Sequence, residues 1–169
     1  MKNLFVLTIA LFLVGCAPAL QSGEMMPKSK VYDRLGNSKF DQSLVVDKVG
    51  VKDGAGGVAP ITSDGYKEAI ISSLRQAGLY AKQGKEKYSL DAFLKEVDQP
   101  VIGFNFTVKT TADYKITNLK NGKVVYQESL TLPCTVLFAE EFLADVRLRR
   151  ATGCSVGENI THFLKTITN

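Results

Sequence analysis

Apolar and polar residues alternate through the middle of the chain. Between Ile102 and Ile116 the apolar side chains occupy even positions, and mainly threonine, asparagine, lysine and aspartate occupy the odd ones. Because successive side chains of a β-strand point to opposite faces, this period of two predicts a strand with one buried and one solvated face. Asn121-Gly122 predicts a hairpin turn, after which a returning segment keeps the same parity. Pro133 cannot donate to a strand ladder, so the returning strand is expected to lie at an edge or to be bulged.

Two further strands are predicted earlier in the chain. A β-branched run between Asp41 and Val51 is typical of a first strand. A second alternating segment begins at Tyr88 and stops near Gln99-Pro100. Together with the central hairpin, these segments predict a sheet of about four strands.

One helix is predicted between these two segments, and a longer one at the end of the chain. Ser63 or Asp64 can cap the first helix, and Gly78 can end it in a left-handed conformation. The side chains on one face of this helix are Tyr66, Ile70, Ser73, Leu74 and Ala77. The last helix is predicted from about residue 140 to residue 166. Its stripe consists of Phe142, Val146, Gly153, Gly157, Ile160, Leu164 and Ile167.

The order of these elements predicts the fold class. An antiparallel sheet with one apolar face needs a cover, and two amphipathic helices can provide it. We therefore expect an α+β two-layer sandwich with a mainly antiparallel sheet and the order β-α-β-β-β-α, as a single domain over residues 41–169. Gly153 and Gly157 lower helix propensity. They are interpreted as points where the last helix approaches the sheet closely, with a kink as the alternative.

The first residues form a separate segment. Lys2 precedes an apolar run that is typical of a secretory signal peptide and too short to span a bilayer as a helix, which needs about 20 residues. The run ends in Leu13-Val14-Gly15-Cys16, which resembles the lipobox of bacterial lipoproteins. The resemblance implies that residues 1–15 are a signal peptide removed before Cys16. It also implies that Cys16 carries fatty acyl chains such as palmitate on its thiol and its new amino group.

Such acyl chains would anchor the protein at a membrane. Ala17 follows the cysteine at the position where an aspartate favours retention in the inner membrane of enteric bacteria. The resemblance therefore favours the outer membrane, with the protein facing the periplasm. Residues 16–40 are rich in proline, serine, glycine and lysine. They are interpreted as a lipidated tether that lets the domain stand off the membrane.

The charge of the chain is mildly positive. It contains 21 lysines and arginines against 17 aspartates and glutamates, which gives a formal net charge of +4 at pH 7. Such a weak and dispersed charge is compatible with a domain near anionic lipid headgroups. It argues against nucleic acid as a partner.

Two cysteines, Cys134 and Cys154, remain beside the lipidation cysteine. An oxidising compartment permits a disulfide between them. Cys134 is expected about 14 Å back along its strand at about 3.4 Å per residue, and Cys154 about 20 Å along the last helix at about 1.5 Å per residue. Because the chain reverses between strand and helix, the two can meet, although Cys154 lies at the flank of the apolar stripe. The bonded and the free forms both stay open.

The last helix also carries a basic cluster, Arg147, Arg149 and Arg150. One interpretation is a contact with anionic headgroups, or with the phosphates of a lipid or glycolipid. The other is a solvated helix face beside acidic neighbours. His162 is the only histidine, and no nucleophile motif accompanies it. We therefore expect no catalytic residue, no metal and no cofactor.

In architecture, the domain resembles small periplasmic α/β lipoproteins such as the lipopolysaccharide-assembly lipoprotein and the auxiliary lipoproteins of lipid-transport ABC systems. That resemblance implies a non-enzymatic accessory lipoprotein that docks on an envelope protein complex. The outward face of the long strand, with its threonines and Lys109 and Lys115, is a candidate docking surface.

Two alternatives to docking are kept. One is a lipid or glycolipid carrier with the three arginines at the mouth of a cleft between helices and sheet. The other is an envelope hydrolase or transferase built around His162 or around a Ser/Asp pair. The expected partners are a membrane and an envelope protein, and the sequence leaves the oligomeric state open.

Overall fold

The computed structural model describes residues 18–168 of the chain. Cys16 and the predicted signal peptide lie outside the described residues. The described part contains four strands and two α-helices: β1 (Leu44–Val51), α1 (Ser63–Gln76), β2 (Tyr88–Asp98), β3 (Phe106–Asn118), β4 (Val124–Val136) and α2 (Ala144–Ile167). The predicted α+β class and the order β-α-β-β-β-α are confirmed.

The four strands form one sheet in the order β1-β2-β3-β4. The helical crossover through α1 makes β1 parallel to β2, whereas β2, β3 and β4 pair antiparallel. The carboxyl ends of β1, β2 and β4 therefore lie together with the start of β3. We call this end the upper end, and the end with the β3–β4 hairpin the lower end. Pro133 lies on β4, which is an edge strand as predicted.

Both helices begin at the upper end and cover the same face of the sheet. At the start of α1, the Ser63 hydroxyl accepts a hydrogen bond from the Val51 amide at the end of β1 (3.2 Å). The helix is capped by Thr62, whose hydroxyl accepts from the Gly65 amide (3.1 Å). Gly78 follows the end of the helix with a φ of +71°, a conformation that favours glycine. The core lies between this helical layer and the sheet.

The covered face of the sheet is filled by aromatic and aliphatic side chains. On β3, Val108, Ala112, Tyr114 and Ile116 are fully buried. The Tyr114 ring stacks on Phe163 of α2 with a centroid distance of 4.4 Å. Most buried hydroxyls have hydrogen-bond partners, and here the Tyr66 hydroxyl donates to the Tyr114 hydroxyl (3.1 Å). Burial raises the pKa of both tyrosines well above the ordinary range.

A disulfide joins the two layers at the edge of the sheet. Cys134 of β4 is bonded to Cys154 of α2, with their Cα atoms 5.8 Å apart. The bonded form of the two alternatives is therefore the one present in this structure.

The start of the long strand differs from the prediction. Ile102 and Phe104 continue the alternating pattern, yet their side chains are 89% and 80% exposed. The ladder begins only at Phe106, which pairs with Val136, the last residue of β4. A strand requires hydrogen bonds to a neighbouring strand, and β4 ends at Val136. The alternation of apolar and polar residues therefore extends beyond the part of the chain that is paired.

Residues 18–40 pack against the domain, so the prediction of a tether is wrong for this segment. Leu20, Met25 and Phe40 belong to the core. The segment includes two short 3-10 helices, Ser22–Met25 and Ser29–Arg34. Its hydrogen bonds to the rest of the domain include one from the Leu20 amide to the Pro60 carbonyl (2.9 Å).

The two glycines of α2 approach this N-terminal segment and not the sheet. A Cβ atom at Gly153 would lie 2.5 Å from the carbonyl oxygen of Glu24. A Cβ atom at Gly157 would lie 2.9 Å from that of Met26. The expectation of a close helix–sheet approach is therefore corrected: glycine is needed here because a backbone segment crosses the helix.

Candidate functional site

The three arginines of α2 do not form one anion-binding site. Arg147 is 3% exposed. It donates to the carbonyl oxygens of Glu141 (2.6 Å) and Phe142 (3.2 Å). Its guanidinium also lies over the ring of Phe106, 4.4 Å from the centroid. Arg147 thus holds the loop between β4 and α2 in place.

Arg149 holds the N-terminal segment. It forms a bidentate ion pair with Glu24, with Nε–Oε1 and Nη2–Oε2 distances of 2.7 and 2.6 Å. The same guanidinium donates to the carbonyl oxygens of Pro18 (2.6 Å) and Ala19 (2.9 Å). The hydrogen bonds from Arg149 lower the pKa of the Glu24 carboxyl below its ordinary value. The first described residues are therefore fixed to the side of α2.

Arg150 also has partners within the chain. Its Nη1 donates to the carbonyl oxygen of Glu140 (3.1 Å) and lies 3.6 Å from a carboxylate oxygen of Glu141. A groove of about 410 Å³ runs beside Arg149 and Arg150, but it is also lined by Glu24, Glu140 and Glu158. With Arg147 buried elsewhere, the expected cluster at the mouth of a cleft is not assembled. The lipid-carrier alternative therefore loses its proposed site.

His162 is an exposed residue of α2. No side-chain hydrogen bond to its imidazole occurs among residues 18–168, and only its backbone carbonyl accepts one, from Thr166 (3.0 Å). In the same range, no group of three or more histidines, cysteines or acidic residues could hold a metal ion. Among the described residues, the hydrolase alternative thus has no hydrogen-bond partner at the His162 imidazole.

The face of the sheet opposite the helices is open. Its outward residues on β2 and β3 form two cross-strand ion pairs, Lys95 with Asp113 (2.9 Å) and Lys115 with Asp91 (2.8 Å). Partial burial opposes ionisation of Asp113, but hydrogen bonds from Ser129 and Lys95 hold the pKa of this carboxyl below its ordinary value. These four charged side chains therefore neutralise each other in pairs.

A shallow hollow of about 880 Å³ lies on this open face, between Gly50 at one side and Ser129 at the other. Phe93 stands in it with 43% of its surface exposed. Its ring covers Gly50, where a Cβ atom would lie 2.6 Å from the ring. Any larger residue at position 50 would require the Phe93 ring to move.

The outer part of the open face carries hydroxyl ladders. Thr107 pairs with Thr135 (2.7 Å) and Thr111 with Thr131 (2.9 Å) across β3 and β4. Such cross-strand hydroxyl pairs stabilise the pairing of neighbouring strands. The open face thus combines two ion pairs, threonine hydroxyls and one exposed aromatic ring.

A second unusual surface lies at the upper end, where three loops meet. Eight of the twelve strongly exposed large apolar side chains in the described chain are located there. We call this surface the apolar tip, and its members are Val58, Val101, Ile102, Phe104, Leu137, Phe138, Phe142 and Leu143. Its aromatic rings are in contact: Phe138 lies 6.0 Å from Phe104 and 5.2 Å from Phe142, centroid to centroid.

The sequence pattern did not predict the apolar tip. It assigned Ile102 and Phe104 to the buried face of a strand and Phe142 to the buried stripe of the last helix. Phe142 is 70% exposed and precedes α2, which begins at Ala144. The sequence did contain one indication of this loop. Pro100 and Gly103 flank Val101-Ile102, and this combination favours a loop over a central strand.

Within residues 18–168, no helix has the length and apolarity required to cross a bilayer. Cys16, the predicted lipidation site, lies outside these residues.

Comparison with known proteins identifies the fold. No protein-family model matches the sequence, and no curated protein matches it. Among solved structures, protein XCC0632 from Xanthomonas campestris, of family DUF330, is similar with a TM-score of 0.58 at 12% identity, over 77% of this chain and 87% of that one. The hypothetical protein CT253 from Chlamydia trachomatis has a TM-score of 0.51 at 8% identity, over 75% and 99% of the two chains.

A minor lipoprotein from Acinetobacter baumannii is a more distant neighbour, with a TM-score of 0.46 at 10% identity over 75% of this chain and 90% of that one. At such identities, the likeness to XCC0632 and CT253 concerns architecture alone. The chain therefore shares the fold of these two bacterial proteins.

Proposed function

We propose that this protein is a lipid-anchored, non-enzymatic accessory protein that docks on a protein of the cell envelope through the open face of its sheet. The observation that carries the proposal is the uncovered face itself: both helices lie on the other side, and Phe93 is 43% exposed on the open one. A sheet face with one exposed aromatic side chain among neutralised charges has the composition of a small protein interface.

The anchor rests on the lipobox and on the geometry of the N-terminal segment. Pro18 is two residues after Cys16, and its carbonyl oxygen is bound by Arg149. Acyl chains on Cys16 would therefore be attached directly to the folded domain, without a long flexible segment between them. Ala17 favours the outer membrane, facing the periplasm.

The open face fits a macromolecular partner better than a small ligand. Its hollow is shallow, and four of the charged groups that line it already form ion pairs, Lys95 with Asp113 and Lys115 with Asp91. Small-molecule sites are concave and enclose most of the ligand surface. A flat partner surface could bury Phe93 and engage the threonine hydroxyls at the same time.

Photocrosslinking in intact cells tests the docking surface. A photoreactive amino acid at Thr131, on the open face, is expected to give a discrete adduct with an envelope protein. The same amino acid at Thr166, an exposed threonine on the helical side, serves as the matched control. The adduct at Thr131 should weaken when Phe93→Ser is added. Equal adducts at both positions, or none at Thr131, would contradict the proposal.

Mass spectrometry of the protein purified from its native membrane tests the anchor. We expect the first residue to be Cys16, carrying a diacylglycerol thioether and an amide-linked acyl chain. A mature chain that begins elsewhere, or a Cys16 without acyl mass, would refute the anchor. Neither result would bear on the docking surface, which the crosslinking experiment tests separately.

A further inference from the structure

The apolar tip is a built surface and not a frayed loop. Val101, Ile102 and Phe104 are 94%, 89% and 80% exposed, and Phe142 and Leu143 are 70% and 63% exposed. Exposed apolar clusters of this kind mark contact sites for membranes or proteins. The remaining large exposed apolar residues lie elsewhere: Phe93 on the open face, and Leu119, Val124 and Val125 at the lower end.

Hydrogen bonds within the loop hold the tip in this arrangement. A carboxylate oxygen of Glu140 accepts from the Leu137 amide (3.0 Å), and one of Glu141 accepts from the Leu143 amide (3.2 Å). From below, the buried Arg147 binds two carbonyl oxygens of the same loop and lies over the ring of Phe138. Two amides and two carbonyl oxygens of the loop are thereby bonded within the chain, while its apolar side chains are exposed.

The N-terminal segment runs along α2 toward the tip. Going backward along the chain, Met26 contacts Gly157, then Glu24 contacts Gly153, and then Pro18 contacts Arg149. Since α2 begins at the upper end, this path leads to the apolar tip. Pro18, the first described residue, therefore lies on the side of the domain where the tip is located, two residues after the proposed lipidation site Cys16.

We propose that the apolar tip inserts into the same membrane leaflet that holds the acyl chains of Cys16. This inference rests on the acylation proposed above, because the anchor is what brings the tip to a lipid surface. Insertion would orient the domain with α1, α2 and the strands directed away from the bilayer. The open face would then stand beside the membrane, accessible to a partner in the same leaflet.

The contact is expected to depend on burial of apolar surface and not on charge. Glu140 and Glu141 are the acidic groups of the tip loop, and each is bonded to a backbone amide, with Arg150 close to both residues. Anionic lipids should therefore add little. Interfacial side chains of this type reach about 5–10 Å into the headgroup and acyl boundary.

The chain has no tryptophan, so single substitutions give specific fluorescence probes. We suggest Phe142→Trp and Phe104→Trp in the full acylated protein, reconstituted in vesicles of phosphatidylethanolamine with and without phosphatidylglycerol. Matched controls are Phe93→Trp on the open face and Leu119→Trp at the lower end, which are also exposed positions. Circular dichroism before and after reconstitution checks that each variant is folded.

Both tip probes should shift their emission to shorter wavelength in vesicles. Lipids brominated near the headgroup should quench them more than lipids brominated near the methyl end, equally in both vesicle types. The two controls should stay quenchable by aqueous acrylamide and insensitive to brominated lipid. A tip probe that remains accessible to acrylamide would overturn the inference, as would a blue shift without bromolipid quenching, which would indicate a protein or a second copy as the occupant.

The acyl mass of the same preparation separates this inference from the proposed function. Acylated protein without quenching at the tip would refute insertion while leaving the anchor intact. Protein without acyl chains but with quenching would refute the anchor while supporting insertion.

Discussion

The two faces of strand β3 come from the same thirteen residues, yet they differ in burial, polarity and contacts. On the covered face Val108, Ala112 and Tyr114 are fully buried against the helices. On the open face Lys109 and Thr111 alternate with them and meet solvent or a neighbouring strand. Because the covered face is buried against α2, its side chains contribute most of the stability of the strand, whereas those of the open face contribute little. Residues on the open face can therefore be substituted with little loss of stability, which leaves them free to serve in recognition.

The largest difference between the faces should appear with Tyr114→Ala. This substitution removes the ring that stacks on Phe163 and the hydroxyl that binds Tyr66. We expect the free energy of unfolding to fall by about 3–5 kcal/mol, the usual cost of truncating a large buried aromatic side chain. Denaturant unfolding followed by circular dichroism measures the loss.

Asp113→Ala, one residue away on the open face, is the matched control and should cost less than about 1 kcal/mol. Similar losses for Tyr114→Ala and Asp113→Ala would mean that the two faces are not separated as described here.

The disulfide between the sheet edge and α2 should have the next largest effect. Replacing Cys134 and Cys154 together by serine is expected to lower the free energy of unfolding by about 2–4 kcal/mol, because the unfolded chain gains freedom. A reductant should lower the thermal midpoint of the natural protein toward that of the double variant and leave the double variant unchanged. If the reductant has no effect on the natural protein, the two cysteines are not bonded in solution.

The ion pair between Glu24 and Arg149 should contribute less, and its contribution should depend on pH. The pKa of Glu24 is lowered in the folded protein, so the pair stabilises the fold above the ordinary carboxyl pKa of 4.5. That stabilisation is lost as the pH falls below this value and through the lower folded pKa. Since both side chains are partly exposed, Glu24→Gln should cost about 1 kcal/mol or less at neutral pH.

Hydrogen exchange of the amides of residues 20–26 measures the same effect locally. Exchange at neutral pH should be faster in Glu24→Gln than in the natural protein, and the difference should shrink in acid. A difference in protection that is independent of pH would show that the carboxylate charge is not what holds the segment.

The smallest effect is expected on the open face. Lys95→Ala breaks an ion pair whose two side chains are 43% and 45% exposed. Exposed pairs contribute little, so the free energy of unfolding should change by less than about 0.5 kcal/mol. The crosslink from Thr131 should nevertheless change if this face docks on a partner. A large loss of stability from Lys95→Ala would contradict the contrast between the faces.

Much of the fold follows from local patterns. The alternation from Phe106 to Ile116 predicted the long strand, and the spacing in Tyr66, Ile70 and Leu74 predicted the buried side of α1. These patterns are readable because each residue of a strand or helix repeats the geometry of its neighbours. The boundaries were less accurate, since the alternation through Ile102 and Phe104 continues beyond the end of strand pairing.

The candidate surfaces were harder to predict. The three arginines look like one cluster in the sequence, but Arg149 binds a residue 125 positions away, and Arg147 is buried beneath its own loop. The spacing of charged residues along a helix predicts which of them are neighbours. It does not predict which carboxylate or carbonyl group from another part of the chain will bind each of them. The same holds for Gly153 and Gly157, whose close neighbour proved to be the N-terminal segment.

By itself, the sequence determined the element order, the covered and open faces of the sheet and the motif at Cys16, because each of these depends on residues close together in the chain. Only the tertiary structure decided that residues 18–40 lie on the domain, that Cys134 and Cys154 are bonded, and that eight apolar side chains from three loops form one tip. Those features arise where segments far apart in sequence come into contact. The local periodicity of the sequence does not indicate which distant segments will pack against each other.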